Sequence, residues 1–142
     1  STVLHDSHNL IVVGRSASDM AVAARAVIDA QGGLAVADAG QLREVVPLPV
    51  AGLMSEENVE TLVAKVEAFK KAQELLGARR LPLGGWLGIS FLALPVIPHA
   101  RITDKGLFDV DAQKIVPIFL PSQHYNAKSV QLAREGPGIP SG

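Results

Sequence analysis

Apolar residues fall along this chain in two rhythms, continuous runs and helical repeats, punctuated by glycine and proline. Residues 9–14, Asn-Leu-Ile-Val-Val-Gly, form a continuous run that ends in glycine, the pattern of a strand buried on both faces. Ser16 and Asp19 make a Ser-x-x-Asp variant of the capping box, and Met20, Ala24, Val27 and Ile28 then repeat at helical spacing. Gly32-Gly33 stops that helix. Residues 34–37 and 41–46 read as two strands joined by the turn Asp38-Ala39-Gly40. Pro47 and Pro49, which cannot donate to a ladder, end the hairpin.

Ser55 followed by Glu56 and Glu57 predicts a second helix start, with the acids at the positive end of the helix dipole. Leu62, Val66, Phe69 and Leu76 mark its buried stripe, Glu67 and Lys71 pair on its outer side, and Gly77 closes it. Residues 86–94 suggest a buried strand loosened by Gly88, with Pro95 and Pro98 bracketing Val96-Ile97. Ile102, Leu107, Phe108 and Val110 flank a turn at Asp104-Lys105-Gly106, and residues 115–120 suggest a last strand that Pro117 confines to an edge. From Pro121 onward the pattern fades into Gln, Ser, Asn, Gly and Pro.

This order predicts an α+β fold: a mixed, largely antiparallel sheet with two main helices packed on one side of it. The first strand, helix and second strand suit a right-handed parallel crossover. Residues 1–120 are expected to form the domain and residues 121–142 a C-terminal tail.

A chain of 142 residues, 48% of them hydrophobic, has the apolar material for a core of its own. The net charge of -1 and the scattered basic residues, paired only at Lys70-Lys71 and Arg79-Arg80, argue against a nucleic-acid partner. The absence of cysteine removes disulfide frameworks, thiolate zinc sites and cysteine nucleophiles, and fits a cytoplasmic protein. No apolar run approaches the ~20 residues that span a bilayer, so no membrane partner is expected. Residues 1–9 carry no basic leader, and an opening at Ser1 without methionine suits an excised domain.

The densest polar cluster is His5, Asp6, Ser7, His8 and Asn9. Two readings compete there. His5 and His8, with His99 and His124 in reserve, suggest metal ligands, but a convincing site needs a third. Alternatively, Asp6, Ser7 and Asn9 satisfy backbone groups in a turn. Ser7, a histidine and Asp6 are also the residue types of a hydrolytic triad, though sequence neighbours rarely reach triad geometry and no Gly-x-Ser-x-Gly elbow is present. Gly14-Arg15-Ser16 lies where a helix N-terminus can meet an anion, but a lone glycine reads as an ordinary strand-to-helix turn. Asp104 and Asp109 read as turn aspartates, and Trp86 and Met54 as packing residues. The His-x-Glu…Pro-Cys-x-x-Cys pattern of zinc base deaminases is absent.

Three stretches carry a resemblance. His5-Asp6-Ser7-His8-Asn9 running into Leu10-Ile11-Val12-Val13-Gly14 resembles the opening of the adenine deaminase C-terminal domain. Leu48-Pro49-Val50-Ala51-Gly52-Leu53-Met54-Ser55 resembles its central motif. Ser90-Phe91-Leu92-Ala93-Leu94-Pro95-Val96-Ile97-Pro98, with Ile102-Thr103-Asp104-Lys105-Gly106-Leu107, resembles its closing motif. The likeness covers roughly residues 4–120; residues 79–88 lack a matching pattern, and residues after Pro121 run past the family's usual end. It implies a parent enzyme that converts adenine to hypoxanthine and ammonia on an upstream amidohydrolase barrel. That barrel would hold a binuclear manganese or iron centre and activate water on it. A barrel needs about 250 residues, so it lies outside this chain.

The leading expectation is therefore an accessory domain that packs on the barrel, supports homo-oligomer formation and completes the active-site mouth through His5, Asp6, Ser7, His8 and Asn9. No catalytic residue, cofactor or metal is expected in the isolated chain, which is expected to be inactive. One alternative is a stand-alone purine-binding module, marked by a closed apolar pocket. Another is a small metal-dependent hydrolase using His5, Asp6 and His8.

Overall fold

The computed structural model describes residues 1–5, 8–78 and 85–119. Helix α1 spans Ala17–Asp29. Ser16 caps it, its hydroxyl accepting the Asp19 amide at 3.3 Å. Asp19 does not reach back to the cap; its Oδ1 accepts the Gly40 amide at 2.6 Å and so ties the helix start to the following hairpin. That hairpin pairs β1, Gly33–Asp38, with β2, Gln41–Pro47, antiparallel. Ala39 and Gly40 at its tip both take positive φ, 53° and 73°, which matches the right-handed twist of the strands. The register shifts between Val36 and Ala37.

The core forms where α2, Val59–Leu75, lies on the hairpin. Leu34, Val36, Val46, Leu48 and Phe69 are buried together, with Val3, Leu62, Val66, Ala72 and Trp86 packed around them. Helix α1 also packs on the hairpin, burying Val27. After α2 comes the short helix α3, Trp86–Ser90, then a three-stranded antiparallel meander of β3, Ala100–Thr103, β4, Gly106–Asp109, and β5, Lys114–Val116. The Ile102 amide donates to the Leu92 carbonyl at 2.9 Å, which ties this meander to the turns behind α3.

The α+β class expected from the sequence is what the structure has, but the strands divide into two sheets, and every pairing among the described residues is antiparallel. Residues 9–14 form no strand, so the parallel crossover is absent. The run at residues 86–94 is α3 followed by turns, because a short apolar run fits a buried helix as well as a strand. Asn58, not Ser55, caps α2: its Oδ1 accepts the Thr61 amide at 2.9 Å, while the Ser55 hydroxyl accepts the Glu57 amide in a turn one step earlier. Glu67 pairs with Lys70 at 2.8 Å rather than with Lys71, and that hydrogen bond holds its carboxyl below the usual range. Leu76 and Ile28, expected in buried stripes, lie beyond or beside them and are exposed, as is Met54. β5 is an edge strand with Pro117 just past its end. Leu120 and the tail at residues 121–142 lie outside the described residues.

Candidate functional site

The segment preceding α1 crosses the molecule's seams. Ser1 and Ile11 exchange backbone hydrogen bonds in both directions, at 2.9 and 3.0 Å. The Ser1 amine is partly buried, and desolvation pushes it down from 8.0 to about 6. Thr2 sits between two glycines: its hydroxyl accepts the Gly33 amide and donates to the Gly52 carbonyl, each at 2.7 Å. Its own amide donates to the Gly33 carbonyl at 3.0 Å. Position 33 itself needs glycine because of its pairing with β2. A Cβ there would stand 2.0 Å from the Val46 carbonyl oxygen, and φ is +133°. Gly52 closes a tight turn with Ala51, both at positive φ, stapled by the Val50–Met54 bridge.

Leu4 is buried and His5 follows at the surface. The His5 amide donates to the Ser90 carbonyl at 3.4 Å, and its ring stacks on Phe91 with centroids 5.4 Å apart and planes 28° apart. Ser90 is buried, its hydroxyl satisfied by the Leu87 carbonyl at 2.6 Å within α3. Asp6 and Ser7 lie outside the described residues, and with them the triad reading and the third ligand of the small-hydrolase reading. His8 and Asn9 are exposed.

Of the other candidates, His99 lies far along the chain, paired with Asp111 at the surface; His124 falls outside the described residues. Asp109 accepts the Ala112 amide at 2.9 Å, which is a turn role, and Asp104 is exposed at its own turn. Ser16 caps α1 and Arg15 is exposed. Trp86 packs against the core, its amide held by Gln73 Oε1 at 3.1 Å. Among the described residues no three His, Asp or Glu gather in a way that would hold a metal.

Two stretches thus meet the N-terminal segment: the turn at Gly52, through Thr2, and the α3 end at Ser90 and Phe91, through His5. Across residues 1–114 the chain matches the family model described as the adenine deaminase C-terminal domain. It belongs to that family. It is 46% identical over 119 residues to an adenine deaminase of Desulfatibacillum aliphaticivorans, a match covering 84% of this chain and 21% of that protein. It is 46% identical over 111 residues to an adenine deaminase of Shigella sonnei, covering 78% and 18%. To adenine deaminase 2 of Shouchella clausii it is 46% identical over 121 residues, covering 84% and 21%. The chain therefore spans about a fifth of the length of the curated relatives it matches.

Within this adenine deaminase C-terminal domain, His5 of the opening motif thus meets Ser90 and Phe91 of the closing motif, while Thr2, just before the opening motif, reaches the central motif at Gly52. Sequence reasoning singles out residues 5–9 for their density of polar groups but misses Thr2, Gly33 and Ser90. Nothing in local pattern marks a lone threonine whose partners are 31 and 50 residues away. Nor does it mark a serine that only becomes buried once α3 forms.

Proposed function

We propose that this domain is the C-terminal accessory part of an adenine deaminase, an enzyme that takes adenine and water to hypoxanthine and ammonia. In this reading residues 1–120 pack on the catalytic barrel and residues 121–142 form a tail. His5, Asp6, Ser7, His8 and Asn9 face the barrel near its active-site mouth. The supporting observation is the match along residues 1–114 in a chain that spans only a fifth of its relatives. The geometry adds to it: His5 is held by the Ser90 carbonyl and the Phe91 ring, and His8 and Asn9 are exposed. A site-completing residue benefits from such a rigid mount.

The binuclear manganese or iron centre belongs, in this reading, to the barrel. The described residues of this chain do not offer it a ligand set, so no step of deamination is assigned to them. The purified chain, supplied with adenine and manganese or iron, is expected to release no ammonia; release proportional to protein, at enzyme-like rates, would overturn the assignment. In the barrel-containing enzyme, His8→Ala is expected to lower kcat/KM with thermal stability unchanged. Unchanged kinetics would return residues 5–9 to a structural turn.

A further inference from the structure

Residues 10–14 have the composition of a strand, yet they lie outside both sheets, with Val13 57% exposed. Ile11 exchanges N–H···O bonds in both directions with Ser1. Such reciprocal exchange marks a hydrogen-bonded pair of an antiparallel ladder, and these pairs recur at every second residue. The next pair therefore joins Val13 to the residue two places before Ser1. Among the described residues, neither the Val13 amide nor its carbonyl has a partner.

Thr2 faces the opposite way. Its amide donates to the Gly33 carbonyl, and its hydroxyl takes the Gly33 amide. β1 meets β2 along its other edge. From Leu34 to Asp38, the outer edge of β1 makes no backbone hydrogen bond to a segment outside the sheet among the described residues. Continuing antiparallel from the Thr2–Gly33 contact, the residue immediately before Ser1 falls opposite Ala35. The two registers agree. Alternate residues of one extended segment would bond to Val13 on one side and to Ala35 on the other, as a central strand requires.

We propose that, in polypeptides carrying this domain behind an upstream region, the stretch immediately before Ser1 is a strand inserted between residues 10–14 and the free edge of β1. The inference rests on the reading that this domain is the C-terminal part of a longer enzyme. The occupant is a backbone segment of that same polypeptide, and its insertion makes the hairpin, the insert and residues 10–14 one antiparallel sheet. It covers an edge that would otherwise be open and joins the domain to what precedes it by main-chain hydrogen bonds as well as by side-chain packing. The partly buried Ser1 amine, bonded to the Ile11 carbonyl, supports this, because its position in the ladder suits a neutral peptide N–H better than a charge.

The test compares amide exchange in the 142-residue chain and in the longer natural polypeptide. The Val13 and Ala35 amides are expected to exchange ~100-fold or more slowly in the longer protein, and Val12, whose N–H points away from the insert, is expected not to follow them. Equal exchange of Val13 and Ala35 in the two proteins overturns the proposal. A cross-link supplies the register, made simple by a domain without cysteine. Val13→Cys, combined with a cysteine two places before Ser1, is expected to close on oxidation, since hydrogen-bonded antiparallel pairs stand ~5.5 Å apart at Cα. A cysteine one place before Ser1 points to the other face and is expected not to close. The reverse pattern would also overturn the proposal. Failure of the accessory-domain reading shows differently, as ammonia release from adenine by the isolated 142-residue chain, whatever the exchange at Val13 does.

Discussion

Thr2 places its hydroxyl 2.7 Å from both the Gly33 amide and the Gly52 carbonyl, inside a cluster where both glycines are buried. Valine has the same shape without the donor and acceptor. Thr2→Val therefore leaves a buried N–H and a buried carbonyl unmatched and is expected to cost about 1–3 kcal/mol. Thr2→Ser keeps the hydroxyl and is expected to retain most of that. Urea unfolding reads both: a lower midpoint at constant slope for valine and a near-normal one for serine. Equal midpoints for the two variants would show that the hydroxyl contributes nothing. At this scale the sequence was legible where chemistry is local. The Ser16 cap, the turn glycine Gly40 and the stop at Gly77 all stand where backbone preference places them. It was illegible where one side chain bridges distant segments, as Thr2 does. For the same reason residues 5–9 could be flagged for polarity, but the anchorage of His5 on Ser90 and Phe91 could not be seen.

Among the elements, α2 shows how helical spacing sorts core from surface. Phe69 is 3% exposed within the cluster built by Leu34, Val36, Val46 and Leu48, whereas Leu76 is 52% exposed beyond the helix end. Phe69→Ala is expected to cost roughly 3–5 kcal/mol, the sum of lost transfer energy and an unfilled cavity. Leu76→Ala is expected to stay within about 0.5 kcal/mol. Equal losses from the two would show that the stripe had been assigned to the wrong face. The capping groups make a parallel comparison. Asn58→Ala is expected to cost about 1 kcal/mol, and Ser55→Ala less, because only Asn58 holds a first-turn amide of the helix. The hairpin and α2 were legible because period and punctuation agree there. Residues 9–14 and 86–94 were not, because a continuous apolar run has no period. At 86–94 the left-handed Gly85 and the tie from Trp86 to Gln73 favour a helical turn. At 9–14 the run makes ladder-type bonds, among the described residues, only at Ile11, which is why a strand-like sequence stands here outside the two sheets.

Taken as a whole, a 142-residue chain with a free Ser1 amine has a stability that depends on pH in a direction that can be worked out. Burial lowers its folded pKa from 8.0 to about 6, while in the unfolded chain it returns to the ordinary value. Between those values the unfolded state binds more protons than the folded one, so stability rises with pH across that window. The full stability is present above about pH 8, falls as the pH drops from 8 to 6, and is flat below 6 as far as this group is concerned. A tenfold change in proton affinity is worth about 1.4 kcal/mol, so the loss is at most about 2–3 kcal/mol. Acetylation of the Ser1 amine isolates its contribution from that of every other group. An acetylated N-terminus keeps an N–H for the Ile11 carbonyl but carries no charge to desolvate. The difference in unfolding free energy between acetylated and free chains is therefore expected to be small at about pH 8.5 and to grow as the pH falls to about 6, with the acetylated chain the more stable. A difference that stays constant across this range would show that the amine is solvated in the folded chain. It would also remove the electrostatic support for a peptide bond at that position in the ladder, leaving the inserted strand to stand on the hydrogen-bond registers of Val13 and Ala35 alone.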